Sequence, residues 1–504
     1  MNLKKLKLKY YNPLIKHVIK NEGVNMSEQL GITVKKNQDF SEWYTEVILK
    51  AGLADYATTK GCMVIKALGY GIWENVQKLL DAEFKKTGVK NYYFPLFIPE
   101  SILKKEAEHF EGFTPEVAWV THGGDEKLSE KLAIRPTSET IMYDTFSKWI
   151  RSWRDLPLLT NQWCNVVRWE TKATKLFLRT REFLWQEGHT VHATKEDADK
   201  QVMQRLEIYK KFVEDNLAIP LLNGMKSEGE KFAGALYTTT IEALMPDGKA
   251  LQMGTSHNLG QYFAKVFDIK FIDKDEKDKY AWQTSWGLST RVIGALVMVH
   301  GDDKGLVLPP KIAPTQAVII PINFHENREV LEEAKKIKKK LEDGSYSVEL
   351  DDREEYSPGW KFNEWELKGV PLRIEIGPKD LKNHQVILVR RDTSEKKCVH
   401  AINLEESVKD MLGSIQENLF NKAKKFLVNS ITEAKNKEEF KKILEEKKGF
   451  IKINWCYTRE CEEKIKEDTG ATSRFIPFES EKTKGKCDYC EKDAKLVAYF
   501  AKSY

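Results

Sequence analysis

Arginines stand where an apolar strand would ordinarily place valine or isoleucine. Val166, Val167 and Trp169 flank Arg168. Phe177, Leu178, Phe183 and Leu184 bracket Arg179 and Arg181, and Arg291 closes the run Gly287-Leu288-Ser289-Thr290-Arg291. A guanidinium withdrawn from water needs an anion or acceptor to meet it. Several of them beside one sheet suggest a polyphosphate ligand, and ATP is the obvious candidate. The chain has no GxGxxG or GxxxxGK[ST] loop, so side chains must do the holding. The polar stretch 170–175 predicts a mobile cationic loop joining two antiparallel strands. One arginine on each strand could grip successive phosphates bidentately, and Phe183 could stack a base.

A second constellation is Cys456-x4-Cys461 followed by Cys487-x2-Cys490. Two cysteine pairs with short internal spacing point to zinc. Four thiolates close a tetrahedron and leave no place for water, which makes the ion structural; two disulfides or free thiols are the alternative. Cys62, Cys164 and Cys398 are isolated near apolar residues and read as buried thiols of a reducing, cytoplasmic protein.

These groups need elements to position them. The chain has 504 residues, 41% hydrophobic and 31% charged, with a formal net charge of +5. That is the composition of a globular protein of several domains. It excludes a basic surface over the whole fold but not a local groove for RNA. No apolar run is long enough to span a membrane. Residues 1–25 carry six lysines and no acid before Glu22. They read as an extension, disordered or brushing RNA, and Met26 reads like a natural start.

Residues 40–90 read as helical, with Ile72, Val76, Leu79, Leu80 and Phe84 on one stripe. Pro95 interrupts the strand that follows and marks a sheet edge or subunit contact. Residues 130–300 mix aromatic-rich strands with helices, among them a helix over 195–216 and strands over 250–253 and 288–299. That pattern predicts an α+β unit built on an antiparallel sheet with flanking helices. Beyond Leu308-Pro309-Pro310-Lys311, strands and helices alternate to about 405, a small α/β domain with a basic stripe at Arg390-Arg391. Residues 406–448 read as charged helix, and a small α+β unit with the four cysteines closes the chain. The expected limits are 1–25, 26–305, 311–405 and 406–504.

The hairpin around Arg168 and Arg179 resembles motif 2 of class II aminoacyl-tRNA synthetases. The helix and strand ending at Pro95 resemble motif 1, and 287–291 with the apolar helix after it resembles motif 3. More narrowly, Pro136-Thr137-Ser138-Glu139-Thr140, Arg179-Thr180-Arg181-Glu182-Phe183-Leu184-Trp185-Gln186-Glu187-Gly188-His189 and Trp365-Glu366-Leu367-Lys368-Gly369-Val370-Pro371-Leu372-Arg373 resemble the prolyl-tRNA synthetases. The likeness runs from about residue 30 to Tyr504.

The resemblance implies ATP-dependent activation of L-proline and its transfer to tRNA(Pro), by a homodimer joined through the motif 1 surface. Arg168 would hold the α-phosphate, Arg179 the outer phosphates, and Phe183 and Arg291 would sandwich the adenine. Glu170, Gln252 and Thr255 would be further nucleotide contacts, with Mg²⁺ neutralising phosphates. Thr137, Glu139, Trp185, Glu187, His189, Phe232 and His257 would line the proline pocket, Glu139 pairing the secondary ammonium. The α/β domain would bind the anticodon, with Glu366, Arg373, Lys379 and Asp380 reading guanines. The terminal Tyr504 resembles that of the archaeal/eukaryotic type, where it packs back toward the active site. The bacterial type carries an editing insertion between motifs 2 and 3, for which this chain has no room. Two rivals are a class II enzyme for threonine, glycine or histidine and an inactive RNA-binding paralogue. The proline-type motifs oppose the first, and the retention of all three arginines opposes the second.

Overall fold

The computed structural model describes residues 31–107, 117–479, 483 and 485–504, so the expected 1–25 extension and the start at Met26 lie outside the described residues. Its centre is a seven-stranded sheet. The strand order is Lys90–Asn91, Leu158–Val167, Glu182–His192, Trp282–Ser289, Ala250–Gly260, Tyr237–Leu244 and Leu222–Met225. Only the first pair is parallel. The antiparallel α+β expectation holds.

One face of this sheet is covered by the helix Lys195–Leu217, started by Thr194, whose side chain accepts from Asp197 N. Its Leu206, Tyr209, Phe212 and Val213 pack with Leu251, Met253, Trp286 and Leu288 of the sheet in one core. The helix Ala67–Lys86 adds Ile72, Trp73, Val76, Leu80 and Phe84 to that core, at the helical spacing of the expected stripe.

Two readings of this region need correction. Residues 40–90 are not continuously helical. The Asp39-capped helix Phe40–Lys50 stops before Gly52, whose φ of +76° no β-carbon tolerates well, and the hairpin Ala54–Tyr56/Met63–Ile65 intervenes. Nor is 288–299 a strand. The strand ends at Ser289, and Arg291–His300 is a helix buried along Val292–Met298, as the motif 3 likeness implied. A helix buried all round has no polar face, so its sequence carries no period.

The second sheet, Val348–Leu350, Ala317–Pro321, Leu372–Ile376, Gln385–Arg390 and Lys396–His400, is parallel over its first two pairs and antiparallel over its last two. This is the expected α/β domain. It is joined firmly to the first unit. Leu306 N donates to Leu367 O at 3.0 Å and Leu308 N to Gly369 O at 3.1 Å. Arg391 forks onto Asp302 at 2.8 and 2.6 Å. The anticipated basic stripe is therefore absent. Arg391 is buried on Asp302, and Arg390 is held by Asp392 at 2.9 and 2.8 Å.

The expected helix over 406–448 is two helices, Leu404–Asn429 and Lys437–Glu446, parted by the strand Ile431–Glu433. That strand belongs to a four-stranded sheet with Phe450–Trp455, Leu496–Ala501 and Thr472–Phe475. Backbone hydrogen bonds stitch the C-terminal unit to the first sheet: Met225 and Ile476 exchange bonds of 2.8 Å, and Ala250 N donates to Lys502 O at 2.8 Å. Cys398 is exposed and Cys62 and Cys164 are partly so, against the expectation of buried thiols. No helix of the described residues is long and apolar enough to cross a membrane.

Candidate active site

A cavity of about 310 Å³ opens on the sheet where Glu182–His192, Trp282–Ser289 and Ala250–Gly260 run side by side. Alternate residues of a strand share a face, so Phe183, Trp185, Glu187 and His189 all line it from one strand. Opposite them come Gln252 and His257, with Thr137 and Glu139 from the start of the helix Glu139–Trp149. Phe232 and Thr255 complete the set. Every residue expected in the proline pocket lines this one space.

The arginines divide. Arg168 and Arg291 line the cavity, whereas Arg179 and Glu170 are not among its lining residues. They form a partly exposed pair, Nη1 to Oε2 at 3.9 Å. The expectation of one arginine within each strand also needs correction. Arg168 follows the strand Leu158–Val167, and Arg179 precedes Glu182–His192. The apolar Leu176, Phe177 and Leu178 are no strand. They form a buried turn pinned by Tyr44, whose hydroxyl donates to Leu176 O at 2.7 Å. Arg179 and Lys175 exchange backbone hydrogen bonds of 2.7 and 2.9 Å at the base of that turn.

The electrostatics suit an anion at one end. Burial first, and then the neighbouring Arg168 and Arg179, push the Arg291 pKa down to about 10. A guanidinium lowered by neighbouring cations is one that a bound anion would favour. Arg168 lines the same cavity but is exposed to solvent, and its charged neighbours are Glu139, Glu187 and Glu170. The Arg168 guanidinium lies 5.5 Å from the Phe183 ring and 5.6 Å from the Trp185 ring, and its Nε donates to Pro136 O at 3.1 Å.

The other end is carboxylate-rich. Glu139 accepts from Thr137 Oγ1. Glu187 accepts from Ser138 Oγ, from Gln162 Nε2 at 3.1 Å and from His189 Nε2 at 3.1 Å, and Tyr143 meets His189 Nδ1 at 2.9 Å. Burial alone would raise the Glu187 pKa, but His189, Ser138 and Gln162 bring it below its usual range. Burial would lower that of His189, yet its bond to Glu187 and the charge of Glu139 raise it. Each partner favours the other's charged form, and a small cation such as a secondary ammonium has a place beside Glu139.

His257 behaves otherwise. Burial, then His189 and Lys226, push its pKa down to about 3, so the ring is neutral. It sits mid-strand, not in a turn, between Thr238 Oγ1 at 2.9 Å and Thr255 Oγ1 at 3.0 Å, with the Phe232 ring 4.8 Å away. Sequence reading missed Glu230, Thr238 and Ser285, all lining residues. Ser285 is buried, and its Oγ has no partner among the described residues, leaving a hydroxyl free for a ligand. Only the strand alternation from Ser285 to Gly287 could have pointed to it.

Family models match the chain in three places. That of the tRNA synthetase class II core domain (G, H, P, S and T) covers residues 119–300, the anticodon binding domain 316–411 and the prolyl-tRNA synthetase C-terminal domain 437–504. The proline--tRNA ligase of Natranaerobius thermophilus is 58% identical over 472 residues, 93% of this chain and 97% of that protein. That of Alkaliphilus oremlandii is 57% identical, over 92% of this chain and 96% of its own length. Proline--tRNA ligase 2 of Bacillus cereus strain ZK is 54% identical, over 95% and 99%.

The chain belongs to the prolyl-tRNA synthetase family. It is accordingly a class II aminoacyl-tRNA synthetase, a ligase whose substrates are proline and tRNA. In its anticodon-binding domain, Glu366 and Arg373 line one depression, but Lys379 and Asp380 lie outside that lining, on the short helix Pro378–Lys382. Asp380 caps that helix by accepting from Gly377 N at 3.0 Å, Arg373 meets Glu375 at 2.8 Å, and Glu366 meets Lys304 at 2.8 Å. In the C-terminal domain the four cysteine sulfurs lie within 4.8 Å of one another, with Cys456 to Cys490 at 3.5 Å and Cys461 to Cys487 at 3.9 Å. A tetrahedron with Zn–S bonds of about 2.3 Å sets sulfurs ~3.8 Å apart, so the set fits zinc. At the chain end, Tyr504 Oη donates to Asp247 at 2.7 Å, and its ring faces Lys249 at 4.8 Å and Lys175 at 5.7 Å.

Proposed function

We propose that this synthetase works in two steps through prolyl-adenylate. In the first, a proline carboxylate oxygen attacks the α-phosphorus of ATP, the bond to the β-phosphate oxygen breaks, and pyrophosphate leaves. In the second, a ribose hydroxyl at the tRNA(Pro) 3′ end attacks the prolyl carbonyl, the bond to the adenylate phosphate oxygen breaks, and AMP leaves with the hydroxyl proton taken up by its phosphate. The observation that supports this reading is that one cavity is lined both by the guanidiniums of Arg168 and Arg291 and by Glu139, Glu187 and His189, so it offers partners to an anion and to a cation together.

Arg168 holds the α-phosphate and takes up charge in the transition state. Phe183 and Arg291 sandwich the adenine, Gln252 and Thr255 add contacts, and Arg179 and Glu170 serve the outer phosphates from the rim. Mg²⁺ supplies neutralisation of the phosphate oxygens. Thr137, Glu139, Trp185, Glu187, His189, Phe232 and His257 hold proline, with Glu139 against its ammonium and Trp185 and Phe232 at the ring. The first step needs no general base, because the attacking carboxylate is already ionised; catalysis there is positioning and charge stabilisation.

We place the domain limits at 26–305, 311–405 and 406–504, and assign anticodon reading to Glu366, Arg373, Lys379 and Asp380. Cys456, Cys461, Cys487 and Cys490 hold a structural zinc. The enzyme is a cytoplasmic homodimer; exposed Tyr93 and Phe97 beside Pro95 support a subunit contact there. It is of the archaeal/eukaryotic type, supported by the four cysteines and by the tether of Tyr504 to Asp247. It lacks cis editing. Between Glu182–His192 and Trp282–Ser289 the chain is used by one long helix, three strands of the main sheet's far half and the small elements beside them.

Amino-acid-dependent pyrophosphate exchange across the twenty amino acids tests the reading. Proline alone should support rapid exchange. Preference for another amino acid, or exchange with none, overturns it.

A further inference from the structure

Segment 226–236 leaves the edge strand Leu222–Met225, returns as Tyr237–Leu244, and carries Glu230 and Phe232 onto the amino-acid end of the cavity. Its entry is held from another domain. Ser227 is fully buried and donates its Oγ–H to Glu462 Oε1 at 2.5 Å. Glu462 lies on the helix Arg459–Thr469, next to Cys461 of the thiolate cluster. Ser227 O in turn accepts from Lys231 N at 2.9 Å and Glu230 N at 3.2 Å, so it sets the turn that delivers Glu230 and Phe232. Phe232 N then donates to Thr238 Oγ1 at 2.9 Å, the same hydroxyl that faces His257.

A buried ionic cluster docks the two domains beside this contact. Glu242 takes Lys226 Nζ at 2.7 Å and Arg474 Nη2 at 2.9 Å, and all three residues are buried. Removing one member would leave the others as uncompensated buried charges. Arg474 belongs to the C-terminal strand Thr472–Phe475. The C-terminal domain thus reaches the amino-acid pocket through one chain of contacts: Cys461, Glu462, Ser227, and then Glu230 and Phe232.

We propose that the C-terminal domain shapes the proline end of the cavity, with Glu462 as a positioning residue that acts through Ser227 and is docked by the Glu242–Arg474–Lys226 cluster. The inference rests on the assignment of that end to proline. Glu462 touches no substrate. Its loss should loosen the wall made by Glu230 and Phe232 and spare the arginine end.

The test is exchange by the full-length protein, titrated separately in proline and in ATP. Glu462→Ala should raise KM for proline about tenfold, the scale of one lost hydrogen bond to a charged group, and leave KM for ATP within about twofold. Glu462→Gln, whose amide oxygen still accepts from Ser227, should restore most of it. Ser227→Ala should match Glu462→Ala, and the double variant should be no worse than either, because the two residues act as one unit. Metal content and melting temperature are measured on each variant. Equal rises in both KM values, or effects that multiply, overturn the proposal. Should Glu462→Ala not fold, Gly229→Ala serves, because its new Cβ would stand 2.8 Å from Glu462 Oε2 and push that carboxylate aside; an unchanged KM for proline there overturns the proposal too. Absence of proline-dependent exchange in the unmodified protein would remove the underlying assignment instead.

Discussion

Glu187 and His189 share one face of a single strand, and their Oε2 and Nε2 atoms lie 3.1 Å apart at the buried floor of the cavity. His189 titrates above its ordinary 6.5, so its share of the pair's stabilisation is complete below pH 6.5 and fades as pH climbs through the folded value. Glu187 titrates below its ordinary 4.5, so its share is complete above pH 4.5 and fades as pH falls through its own folded value. The stabilisation is therefore greatest between these two ordinary values. His189→Gln should cost about 3–5 kcal/mol near the middle of that window and less at alkaline pH. Denaturant unfolding of both proteins across pH checks this; a cost that grows as pH rises would contradict it.

Arg168→Ala should lower proline-dependent exchange by about 10²–10³-fold, the scale of losing one preorganised donor to transition-state charge. Its guanidinium donates to Pro136 O, and its backbone bonds to Arg181 and Glu170 survive the substitution. Circular dichroism and melting should stay close to those of the unmodified protein. Near-normal exchange would refute the phosphate role.

Purified protein should carry about one zinc per chain. Chelation, or Cys456→Ser, should lower the melting temperature, because Cys456, Cys461 and Cys487 are part of the C-terminal core with Phe440, Trp455 and Phe500. Metal analysis by emission spectroscopy decides it; a metal-free protein with unchanged melting and exchange would sink the zinc assignment.

Deletion of Tyr504 should reduce exchange about tenfold, or ~1.4 kcal/mol of barrier, with little effect on unfolding. The ring faces Lys175, and Lys175 pairs through its backbone with Arg179. Both residues are partly buried, and a cation–π contact near a surface is worth about 0.5–1 kcal/mol to the fold. Equal fractional losses of activity and stability would reduce Tyr504 to packing.

How much of this was legible in the sequence depends on range. Arg168 and Arg291 stood out because a cation among Val, Phe and Leu contradicts its neighbours, and that conflict is local. Trp185, Glu187 and His189 were found together because a strand's two-residue period repeats on one face. The turn at 176–178 was misread, since three apolar residues look alike in a strand and in a plug pressed into a core. The helix Arg291–His300 hid its period by being buried all round. The contacts of Glu242 with Arg474 and of Ser227 with Glu462 join residues more than 200 positions apart, and no periodicity reports on such a pairing.

The Arg391–Asp302 fork and the two backbone bonds at Leu306 and Leu308 have one more consequence. They tie the anticodon-binding domain to the class II core by side chain and backbone at the connecting segment. The molecule is a caliper pinned at that joint, and a tRNA that touches both domains meets them at one spacing.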